Sequence, residues 1–369
     1  MVTEIIFHEP YTQWNWKIGQ YVALIGIAGG AYLVGYVADV LGIRTGSREH
    51  SQLAKYGYLT GLLIMAVSPL IMLSHLATPF RAMALPLTMS NLGSWMAIGS
   101  YMMGGLALGA FLMFAWTAFG TDRPGARRDA SLAADGGKVT DGGTADAATG
   151  TGGTAGGFRG VADKVGLLNS LDSLADKTRP SSRIRLGIGA LFGITAAGVL
   201  LYSAMALGSG PTGRVALWDK TFLIPVQIVS GLGAGLIVAV GLAALAERAT
   251  GRTVQKYALG GSALLVVYLL TLVATIALLP GHNPAAEAGV ANLVGDYAMM
   301  FIGVGIVAGI VLPVLLTLGA VFGQRNGSLS QNGAIAAYGI AAGLVIVGKL
   351  AVGLSYLMAA DFTSLPLPV

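Results

Sequence analysis

Within an apolar chain, a polar or ionisable side chain is expensive to keep, so each one marks a place where chemistry could occur. Lys349 is the clearest case, because it interrupts the run GLVIVGKLAVGLSYL. It lies nine residues before Met358, about 13 Å from that helix end at 1.5 Å per residue. Two readings stay open for it. It either snorkels and is satisfied by neighbouring carbonyls, or it lines a functional cavity. His75, in PLIMLSHLATPFR, ends an apolar run near the same membrane face. It is either a simple hydrogen-bonding group or a proton donor and acceptor beside a bound ligand. Tyr202, in LYSAMALGSGP, and Tyr21 are also placed near that face, where an aromatic belt alone would account for them. Asp39 and Asp296 fall near helix ends and read as interfacial.

Other chemistries are excluded by what the chain lacks. It has no cysteine, which removes disulfides, thiolate-held iron–sulfur clusters and cysteine nucleophiles within it. Of the four histidines, His8, His50, His75 and His282, only His75 is placed inside the membrane. A bis-histidine haem needs paired axial ligands, so a cytochrome b is not expected. No phosphate loop, metal-ligand cluster or nucleophile triad is visible.

The elements that must position these residues are membrane helices. The 369 residues are 54% hydrophobic and only 11% charged, less than half the charge of an ordinary soluble domain, about 25%. Apolar runs long enough to cross a hydrocarbon core number eight: 18–42, 56–77, 91–119, 184–207, 221–246, 257–279, 295–322 and 333–358. Small-residue pairs at helical spacing (Gly26/Gly30, Gly105/Gly109, Gly231/Gly235, Gly305/Gly309 and Gly339/Gly343) suit close helix contact. The chain thus divides into helices 1–3 over residues 1–120, a linker over 121–182, and helices 4–8 over 183–369. Within the linker, 129–160 is rich in Gly, Ala, Thr and Asp and cannot bury a core. Residues 161–178 form either a short amphipathic surface helix or a loose end of the linker.

Orientation follows from the basic residues. Arg44, Arg48, Lys55, Arg248, Arg252, Lys256 and Arg325 fall on one side, against Lys17, Arg81, Arg214 and Lys220 on the other. The ends of the linker strengthen that bias, so the linker is predicted to be cytoplasmic and both termini extracytoplasmic. The net charge of +5 is explained by this topology and calls for no nucleic-acid partner.

Several stretches resemble the NrfD/PsrC family, the membrane subunits of polysulfide reductase and related respiratory complexes. They are WNWKIGQYVALIGIAGGAYL, LIMLSHLATPFRAMALPLTMSNLGSW, LLYSAMALGSGPTGRVALWDKTFLIPVQIVSGLGAG and GLVIVGKLAVGLSY. The likeness covers the whole chain except 121–182. It implies an all-α, polytopic fold of eight transmembrane helices in two four-helix bundles, in the plasma membrane. It also implies a quinone- or quinol-reactive anchor, with menaquinone-type quinone and no haem or metal of its own. The partners would be a ferredoxin-like iron–sulfur subunit and a molybdopterin oxidoreductase subunit. Residue by residue, Tyr202 falls on the family's quinone-contacting tyrosine. His75 stands where the family places a carboxylate or other polar group, and Tyr21 where a histidine contacts the quinone. Ile18 replaces a polar residue, and Lys349 stands where relatives carry arginine. The alternatives weighed are a secondary transporter, which would need inverted repeats and intramembrane carboxylates, and a purely structural anchor.

Overall fold

The computed structural model describes residues 16–74, 93–120, 164–208, 215–282 and 284–360. His75, the stretch 129–160 and residues 361–369 lie outside them. The helices in chain order are α1 (Trp16–Thr45), α2 (Arg48–Leu73), α3 (Trp95–Ala118), α4 (Leu168–Thr178) and α5 (Ser182–Leu207). They continue with α6 (Lys220–Glu247), α7 (Arg252–Leu278), α8 (Pro284–Val294), α9 (Met299–Arg325) and α10 (Gln331–Met358). Eight of these, all but α4 and α8, are long and apolar enough to cross a membrane. All eight predicted spans are therefore present, and no strand occurs among the described residues. The connections alternate between an Arg44 end and a Trp16 end of the bundle, which follows from the up-and-down order.

Local chemistry sets the helix ends. The Asp219 carboxylate accepts the Thr221 N–H at 2.7 Å and starts α6, while Ser330 accepts from Gly333 N–H at 3.2 Å and starts α10. Arg248, at φ 54°, stops α6 in the left-handed region. The first half of α9, Met299–Val311, is π-helical. Pro313 follows it, has no N–H, and in an α-helix its ring would strike the carbonyl of Gly309. The wider turn, with the Leu312 N–H bonded to the Val307 carbonyl, relieves that clash.

Helices α1, α2, α3 and α5 form one four-helix ring, and α6, α7, α9 and α10 form a second. The rings meet through α1 and α6, the two most buried spans. Their crossing is backbone on backbone. A Cβ at Gly30 would overlap the Gly231 carbonyl, and one at Gly235 would overlap Gly30 and Ala31. The same device joins α9 to α10, where Gly309 and Gly348 touch backbone to backbone. Gly105 and Gly109 of α3 admit Thr195 and Phe192 of α5. Gly343 has nothing within 4 Å, so not every small pair in the sequence marks a contact.

At the Arg44 end a polar seam ties the two rings together. Lys55 pairs with Glu247, Tyr56 Oη donates to Glu247 Oε1 at 3.2 Å, and Glu49 Oε2 accepts the Thr253 N–H at 2.8 Å. At the Trp16 end, α8 and a 3-10 turn, Ala216–Trp218, cover the second ring. Helix α8 stands between the spans predicted at 257–279 and 295–322. Its signal was present in Pro284 at the helix start and Glu287 in the first turn.

Candidate functional site

Among the described residues, each ring holds a polar cluster inside its Trp16-end half, and the two clusters lie on opposite sides of α1. In the first ring, Tyr21 of α1 and Tyr202 of α5 are both buried. Each lies five residues inside its helix end, about 8 Å in at the α-helical rise. Both meet one face of α3: the Tyr202 ring packs on Gly99, and Tyr21 Oη donates to Met103 Sδ, one turn further along, at 2.7 Å. Gly99 makes room for this arrangement, since a Cβ there would overlap the Tyr202 ring. The cluster is a pair of phenols with a thioether beside them, set in an apolar wall. It can donate hydrogen bonds to a carbonyl and exchange protons with it.

In the second ring, Lys349 is buried and does not snorkel. Its Nζ donates to Gln227 Oε1 at 2.9 Å and to Ser230 Oγ. Ser230 Oγ in turn donates to the Gln227 carbonyl at 3.3 Å, which leaves its lone pairs for the lysine. The Tyr268 ring lies 5.6 Å from Nζ, within cation–π range. The adjoining cavity offers about 20 Å³ to a water-sized body, room for about one water. Val22 and Ala23 of α1 form one wall, and Trp218, Leu223 and Leu357 form others. Trp218 is itself buried and donates its Nε1–H to the Tyr356 carbonyl at 3.0 Å, which fixes the covering turn over the cavity.

Of the four residues singled out from the sequence, the structure brings together Tyr21 and Tyr202. Lys349 stands apart from them, because α1 turns Tyr21 into the first ring and Val22, Ala23 and Gly26 toward the second. His75 lies outside the described residues, although Lys17 Nζ donates to the carbonyl of the preceding Ser74 at 2.9 Å. Sequence reasoning missed Gln227 and Ser230. Both are polar residues in the apolar run PVQIVSG, so the logic that selected Lys349 applies to them equally.

Asp39 is corrected from interfacial to buried. Its Oδ1 pairs with Arg185 Nη2 at 2.6 Å, and both side chains are almost fully enclosed. Tyr58 Oη donates to Oδ2 at 3.4 Å. Arg185 stands in the first turn of α5, inside the span predicted over 184–207. Asp296 is exposed in the turn before α9, as an interfacial residue would be.

No curated protein matches the chain. The family model described as polysulphide reductase, NrfD, matches residues 4–360, including the helices that carry Tyr21, Tyr202 and Lys349. An eight-span, all-helical bundle matched over nearly its whole length leaves one conclusion, that the chain belongs to the NrfD polysulphide reductase family.

Proposed function

We propose that this membrane subunit exchanges electrons between the membrane quinone pool and an iron–sulfur subunit linked to a molybdopterin catalytic subunit. The observation that carries the reading is that buried Tyr21 and Tyr202 converge on adjacent turns of α3, at Met103 and Gly99, inside the first ring. A quinone head is a flat apolar ring with acceptor oxygens, so its site needs apolar walls and a few convergent donors. The two phenols and the wall around them fit that requirement. When bound, a quinol supplies an electron pair with its protons. Tyr202 would hold the head group by donating to a carbonyl oxygen, while Tyr21 orients Tyr202 and relays protons. His75 would be the proton-exchanging group toward the water side, and Lys349 a cation that favours negative charge on the ligand from across α1.

The proposed orientation puts the Trp16 end outside the cell and the basic Arg44 end inside, with 121–182 as a cytoplasmic linker. The iron–sulfur subunit would then dock at the Trp16 end, where the tyrosine pair lies nearest the surface. A transporter would need a carboxylate free to bind ions, yet the buried Asp39 is already held by Arg185. The test is quinol-linked turnover of the assembled complex carrying Tyr202→Ala. Strong loss with normal membrane insertion is the expected result, and unchanged turnover would overturn the assignment.

A further inference from the structure

We infer that α4 is an interfacial helix whose outward flank rests on the lipid leaflet at the Arg44 end and recognises anionic phospholipid head groups. Its level is set by its neighbours. It ends at Thr178, and α5 enters the membrane from Ser182. At the same point Trp116 Nε1 donates to Thr178 Oγ1 at 3.1 Å, and Arg179 donates to the carbonyls of Trp116 and Phe119, closing the end of α3. The helix is therefore pinned at the height where α3 leaves the apolar layer and α5 enters it.

Its faces are sorted by chemistry. Ala175 is buried, and Leu168 and Leu171 pack on the core. The carboxylates lie on the flank beside the end of α3, with Asp172 Oδ1 accepting the Gly120 N–H at 2.7 Å and exposed Asp176 against Gly120. The opposite flank carries exposed apolar and basic side chains, with Ser170 and Ser173 between them. Leu167 and Leu174 are 54% and 53% exposed. They stand seven residues apart and so on one line of the helix, and exposed Lys177 follows beside them. Val165, 64% exposed, and exposed Lys164 extend the same composition just before the helix. Leucines flanked by lysines, with the acids on the other flank, are the surface that inserts shallowly into a leaflet and meets phosphate groups. This flank also continues the lipid-facing apolar surface of α5, where Ile184 and Leu191 are 58% and 61% exposed.

Because the chain has no cysteine, a single label reports this directly. The full chain carrying Leu174→Cys, or Asn169→Cys about 140° around the helix, is labelled with an environment-sensitive fluorophore. It is then reconstituted in phosphatidylcholine vesicles with and without phosphatidylglycerol. The label at 174 should emit to the blue, lose quenching by aqueous iodide, and gain quenching by a nitroxide placed high on the lipid acyl chain. The label at 169 should stay open to iodide. Adding phosphatidylglycerol should deepen the 174 label, and Lys177→Glu should abolish that response. Equal iodide quenching at both positions would overturn the inference. So would shielding at 174 without nitroxide quenching, which would make the flank a protein-contact surface. A phosphatidylglycerol response that survives Lys177→Glu would overturn the recognition of anionic lipid.

Discussion

Lys349 of α10 donates to Gln227 Oε1 of α6 at 2.9 Å, so the second ring is joined internally by a cation held on neutral acceptors. Loss of the acceptor and loss of the cation have different consequences. Gln227→Leu strands a buried donor, at a cost of about 1.5–3 kcal/mol for a hydrogen bond to a charged group. Lys349→Met removes the group that needs an acceptor and keeps most of the volume, so it should cost less. The double variant should be more stable than Gln227→Leu alone. Thermal unfolding of the purified protein in detergent measures all three.

The Asp39–Arg185 pair permits a sharper version of the same argument, because both partners are ionic and enclosed. Asp39→Leu leaves Arg185 buried and unpaired, with a destabilisation of about 3–5 kcal/mol. Adding Arg185→Leu should recover much of that loss. The same unfolding measurement checks it, and a double variant no better than the single would show that the pairing is not what matters.

The crossing of α1 and α6 predicts a contrast between glycines. Gly30→Ala puts a methyl group into the Gly231 carbonyl and should destabilise by about 1–3 kcal/mol as the helices are forced apart. Gly343→Ala and Gly104→Ala meet nothing within 4 Å. Both lie inside helices and should be neutral or more stable by about 0.5–1 kcal/mol. Midpoints from parallel thermal melts decide between these signs.

Gly99 supplies an indirect test of the tyrosine site. Its missing Cβ is what admits the Tyr202 ring, so Gly99→Val should displace the ring without removing its hydroxyl. Tyr202→Phe removes the hydroxyl and keeps the ring, a loss of about 0.5–1.5 kcal/mol of hydrogen bonding. Both variants should weaken apparent quinol affinity of the assembled complex, the phenylalanine variant by roughly two- to tenfold. Titration of turnover against quinol concentration reads both. A wild-type profile for Gly99→Val would show that ring position does not matter.

Much of the fold was legible because a bilayer imposes a simple rule. Every backbone polar group must be satisfied within its own segment, so long apolar runs become helices and their number follows from length alone. Eight spans, their order and several of the glycine contacts were therefore available from residues such as Gly30 and Gly231. Ionisable residues inside those runs were also visible, as Lys349 was, because composition makes them rare.

Rotation about each helix axis was not legible, and it decides what the polar residues do. In spans apolar on nearly every side, periodicity does not tell which flank faces a neighbour. Tyr21 and Val22 are adjacent in sequence, yet they serve different rings. Arg185 falls inside the span read at 184–207, yet only the packing of α5 on α1 brings it to Asp39. The residue types and their depth in the membrane were written in the chain. Which of them meet was settled by helix packing, because contacts between helices depend on where small residues let backbones approach and not on hydrophobicity, which lipid supplies equally on every side.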